Sequence, residues 1–82
     1  MSREYQNLIR IKDGEQYVLH LPFEKGVEDD VIENRIYQKA RRLIRQTVER
    51  TPSSQYLLKV DRGSNGVYAV IIKEPRYDLE DL

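Results

Sequence analysis

The chain has 82 residues, fourteen basic and fourteen acidic side chains, and no cysteine. Its length leaves room for one domain with one core, and the charge balance argues against a surface that attracts nucleic acid all over. The absence of cysteine removes disulfides, thiolate metal sites and cysteine nucleophiles together.

In chain order, Leu8-Ile9-Arg10-Ile11-Lys12, the punctuation Asp13-Gly14 and then Tyr17-Val18-Leu19-His20-Leu21 predict a β-hairpin. A three-residue loop, Lys12-Asp13-Gly14 with Gly14 left-handed, pairs Ile9 with Tyr17 and unites Ile9, Ile11, Tyr17, Leu19 and Leu21 on one face. Pro22 ends the second strand, because it has no backbone donor.

After Lys25-Gly26, the acidic cluster Glu28, Asp29 and Asp30 predicts a helix start, with Asp30 and Glu33 in loose capping-box spacing. Arg41, Arg42, Arg45 and Arg50 follow toward the far end, the arrangement that complements the helix macrodipole. At about 100° per residue, Ile32, Ile36, Tyr37, Ala40, Leu43, Ile44, Thr47 and Val48 share one broad stripe. Thr51-Pro52-Ser53-Ser54 stops the helix, since a residue before proline is pushed out of helical geometry.

A second hairpin is predicted from Tyr56–Val60 and Val67–Lys73, joined by the turn-rich run Arg62-Gly63-Ser64-Asn65-Gly66. An odd-numbered loop would place Tyr56, Leu58 and Val60 on the helix-facing side together with Tyr68, Val70 and Ile72. Leu57, Ala69 and Ile71 would then face the other way, where a sheet covered by one helix meets water. The expected fold is therefore α+β in the order ββαββ, an antiparallel sheet of two hairpins with one amphipathic helix on one face. A single domain is expected over residues 1–82, with its core at about 7–75 and an acidic, mobile tail at 76–82.

Several residue groups raise chemical hypotheses. His20 stands without a nearby serine or acidic partner in sequence, so a triad is not expected. Glu28, Asp29, Asp30 and Glu33 diverge around a helix, and their helix-end position explains them without a metal. The Arg62–Gly66 run lacks the Lys-Ser/Thr of a P-loop and precedes no helix, so it reads as a hairpin connection rather than a phosphate cradle. Tyr17, Tyr56 and Tyr68 share the core-facing parity and are expected to cover the core rather than to stack bases.

Arg35, Lys39, Arg42 and Arg45 follow one another at steps of four, three and three and form a basic ridge opposite the apolar stripe. From Asn34 to Arg50 there are six basic residues and one acidic, a local net charge of +5. Such a ridge suits either solvation or the neutralisation of phosphates. An apolar patch at Leu57, Ala69 and Ile71 would mark a partner or a second copy. The expected function is a non-enzymatic protein-interaction or regulatory module that self-associates or binds another protein, with nucleic-acid binding through the basic helix face as the alternative. No cofactor or metal is expected. The charged first residues and the lack of a long apolar run make cytoplasmic residence, without a membrane partner, the expectation.

Overall fold

The computed structural model describes residues 3–76. In chain order the elements are α1 (Arg3–Arg10), β1 (Gln16–Pro22), α2 (Asp29–Arg50), β2 (Ser54–Arg62) and β3 (Gly66–Pro75). The strands form one antiparallel sheet in the order β1-β3-β2, so β1 and β2 are both edges and the last strand lies in the middle. The α+β class agrees with the sequence, whereas the ββαββ order of two hairpins and one helix is corrected to two helices and three strands.

The first correction falls on Leu8–Lys12. This segment is no strand: Tyr5 and Leu8 are buried on one side of α1, and Ile9 and Ile11 pack against the same core from the helix end and the following loop. Tyr5, Leu8 and Ile9 have i, i+3, i+4 spacing, so the helical period wins over the short alternation that follows it. Gly14 is left-handed (φ 89°) as its turn requires, but the turn leads from a helix into β1. There Gly14 N donates to the Lys73 carbonyl (2.6 Å) and Lys73 N to the Glu15 carbonyl (3.0 Å), so two residues of the entering chain face one of β3.

α2 agrees closely with its predicted limits. Ile32, Ile36, Ala40, Leu43 and Thr47 are buried along it, Ile44 and Val48 are half-buried, and Tyr37 alone of the expected stripe is exposed. Thr51 closes the helix, its amide donating to the carbonyls of Thr47 (3.0 Å) and Val48 (3.3 Å). At the other end Glu28 is the N-cap without a side-chain cap bond, and the expected capping pair Asp30 and Glu33 is engaged elsewhere.

The second correction concerns which face of β3 is covered. Arg62 pairs with Val67 and Gly63 N donates to the Gly66 carbonyl, so two residues, Ser64 and Asn65, connect the hairpin rather than an odd number, and Leu58 stands opposite Ile71 and Val60 opposite Ala69. Val67, Ala69 and Ile71 are fully buried under the helices, while Tyr68, Val70 and Ile72 face away. β3 is apolar on both faces, so only the loop length could assign its parity. On β1, Tyr17, Leu19 and Leu21 face inward as expected.

Close approach of β1 to β3 depends on Gly66. A Cβ there would lie 2.8 Å from Pro22 Cα and closer still to the Leu21 carbonyl, so only glycine lets the end of β1 reach its partner.

Candidate interaction surfaces

Pairing registers fix what the open side of the sheet presents. Val18 stands beside Val70 and Lys59, Gln16 beside Ile72 and Leu57, and His20 beside Tyr68 and Asp61. The centre is thus apolar: Val18 is 44% exposed and Leu57 48% exposed, and Tyr68, Val70 and Ile72 lie between them, half-buried by their neighbours. The rim is polar. His20 and Tyr68 rings lie 4.5 Å apart at 33°, and Lys59 Nζ is 3.6 Å from Asp61 Oδ2.

Of the expected patch Leu57, Ala69 and Ile71, only Leu57 belongs to this surface. Ala69 and Ile71 sit in the core, and Val18, Tyr68, Val70 and Ile72 take their place. Val18 was visible in the sequence as the residue left outside once Tyr17, Leu19 and Leu21 point inward, a consequence of strand alternation.

The basic ridge is divided by ion pairs that no local spacing announces. Lys39 Nζ lies 3.0 Å from Glu4 Oε1 of α1, and Arg35 Nη1 lies 3.5 Å from Glu24 Oε2. Arg42 and Arg45 are exposed and form no ion pair among the described residues. Arg41 stands over the Tyr37 ring, its guanidinium carbon 5.7 Å from the centroid. Within α2, the positive charge that has no ion pair among the described residues therefore lies in the second half of the helix. On the opposite flank Arg62 is held by Glu33 (2.6 Å) and by Asp30, and these carboxylate hydrogen bonds raise the guanidinium pKa above its ordinary value.

Compared with known protein families, with curated proteins and with solved structures, the chain matches none. Function must be argued from these surfaces.

The remaining polar groups are mostly structural. Burial raises the Tyr56 phenol above its usual pKa while its hydrogen bond with Thr51 (3.0 Å) opposes the rise, and this contact ties the start of β2 to the end of α2. Among the described residues no three His, Asp or Glu side chains are placed to hold a metal ion, and no helix is long and apolar enough to cross a membrane. The tail expected at 76–82 lies outside the described residues from Tyr77 onward.

Proposed function

We propose that the chain is a non-enzymatic protein-interaction module that self-associates through the open face of its sheet. The observation that carries this reading is the exposure of Val18 beside Val70 and of Leu57 beside Ile72, with Tyr68 completing a contiguous apolar centre inside a polar rim. Water contact over such a patch is unfavourable, and facing sheets pack about 10 Å apart, which lets two copies cover each other. Three strands at about 4.8 Å spacing over roughly seven residues present a modest face, so a weak, concentration-dependent dimer is expected rather than an obligate one.

Val18→Lys combined with Leu57→Lys tests this. Each ~100 Å² of apolar surface kept in water forfeits about 2.5 kcal/mol, and like charges would also face each other across the two-fold axis. Sedimentation of the wild type should show a dimer that the double variant weakens by at least roughly 100-fold, with helix content unchanged. A wild type monomeric at millimolar concentration would remove the proposal.

The alternative, nucleic-acid binding through α2, is favoured by one observation: among the described residues Arg42 and Arg45 have no acidic partner, although Arg35 and Lys39 do. Arg42→Glu with Arg45→Glu should leave the fold within about 0.5 kcal/mol of wild type, because both side chains are exposed. If this reading holds, the wild type binds a labelled oligonucleotide with steep salt dependence and the variant does not.

A further inference from the structure

The outer edge of β2 and the adjoining side of α2 form a second surface, distinct from the open face of the sheet. Two shallow clefts lie along it, sharing Tyr37 as a common wall. The first, about 340 Å³, is lined by Tyr37, Arg41, Ile44, Arg45, Tyr56 and Leu58. The second, about 370 Å³, continues along the same seam past Val60 to Arg62. No residue of β1 or β3 lines either cleft, so the seam lies at the outer rim of the sheet.

The backbone beside the seam is unpaired. Gly63 N donates to the Gly66 carbonyl (2.8 Å), and in an antiparallel ladder the bonded pairs alternate from there. Residues 55, 57, 59 and 61 therefore turn their N–H and C=O groups toward β3. Tyr56, Leu58 and Val60 turn theirs outward, where no described strand pairs with them. Their side chains are half-buried and form the apolar floor of the seam.

Charge along the seam is uneven. At the Arg62 end the one guanidinium is matched by the two carboxylates of Asp30 and Glu33. At the Tyr56 end Arg41 and Arg45 have no acidic partner among the described residues, and both line the cleft. An occupant of this end must bring negative charge.

We infer that this seam binds an extended acidic peptide, which adds to the sheet as a fourth strand beside β2. Backbone groups of the peptide pair with those of Tyr56, Leu58 and Val60. Every second side chain of the peptide faces the seam: apolar ones enter the two clefts, and carboxylates on that same face meet Arg41 and Arg45. Between Tyr56 and Val60 the edge spans about 13 Å, so a segment of roughly five to seven residues suffices. Edge pairing supplies affinity without regard to sequence, while the clefts and arginines, on one face, select apolar and acidic residues spaced two apart.

The test uses a fluorescein-labelled eight-residue peptide with threonine at every second position and two valines and two glutamates at the others, so that both kinds share one face; its lysine-for-glutamate counterpart; and a version N-methylated at alternate residues. Saturable, salt-sensitive binding of the glutamate peptide alone is expected, with amide chemical-shift changes at Tyr56, Leu58 and Val60. Arg41→Glu with Arg45→Glu should weaken it at least about tenfold while the circular dichroism spectrum stays unchanged. Val18→Lys with Leu57→Lys should leave it intact, which separates this surface from the self-association face. Equal binding of the glutamate and lysine peptides, undiminished binding of the N-methylated peptide, or shifts confined to the Val18 and Leu57 face would overturn the inference. So would binding of an oligonucleotide at Arg41 and Arg45 with none of the peptide, or protection of the Tyr56–Val60 amides by a second copy alone.

Discussion

Replacing Ile36 by alanine is expected to destabilise the chain by about 2–5 kcal/mol. Ile36 is fully buried at mid-length of α2, between Ile32 and Ala40 on the stripe that meets the sheet. Truncation removes three carbons from a site that α1 and the sheet also enclose, and a helix fixed at both ends cannot collapse into the space. A domain of this size has a total stability of roughly 4–12 kcal/mol, so the loss is a large share of it. Urea unfolding followed by circular dichroism should show a lower midpoint with an unchanged slope. Tyr37→Ala, one residue along and 39% exposed, is the control and should cost much less. A shift below about 1 kcal/mol at Ile36 would mean that α2 does not seat on the sheet as described.

The elements that could be read from the sequence are those whose signals are local. α2 carries a 22-residue apolar period, acidic residues at its start and a Thr51-Pro52 stop, three independent signals that agree. β2 alternates cleanly, and Tyr56, Leu58 and Val60 do face the helices. β3 reads Val67-Tyr68-Ala69-Val70-Ile71-Ile72, apolar at every position, so nothing within it says which half is covered. The answer depended on a loop of two residues instead of an odd number, and one residue of register sent Ala69 and Ile71 to the wrong face.

Candidate surfaces were legible to the same degree. Spacing alone placed Arg35, Lys39, Arg42 and Arg45 on one ridge, but it could not show that Glu24 and Glu4 take up the first two. Those partners come from a loop and from α1, a helix whose last three residues the sequence presented as part of a strand. Arg41 lies further around α2 from the ridge, and it gained importance only when the fold set β2 alongside it. Val18 followed from alternation in β1, although its significance required Tyr68, Val70 and Ile72 to be facing outward as well.

α1 was the hardest element to foresee, because much of what holds it comes from a residue more than sixty positions away. Lys73 on β3 is only 8% exposed, yet its ammonium meets no carboxylate among the described residues. Instead Nζ donates to the carbonyls of Ile9 (3.2 Å) and Ile11 (3.0 Å) at the end of α1. These are acceptors left over where the helix stops, at the negative end of its dipole, so a buried cation satisfies both. Lys73→Met keeps most of the stem volume and removes only the donor, leaving two partly buried acceptors without it. A cost of about 2–3 kcal/mol is expected. Because the loss falls on one end of one helix, amide hydrogen exchange should quicken in α1 well before α2 and the sheet are affected. Lys59→Met, on the exposed face of the neighbouring strand, should change stability by less than about 0.5 kcal/mol. If Lys73→Met were equally silent, α1 would be held by its packing and by the Glu4–Lys39 ion pair without help from Lys73. If instead exchange quickened uniformly, α1 would belong to the same cooperative unit as α2 rather than being a separately opening element tied down by one lysine.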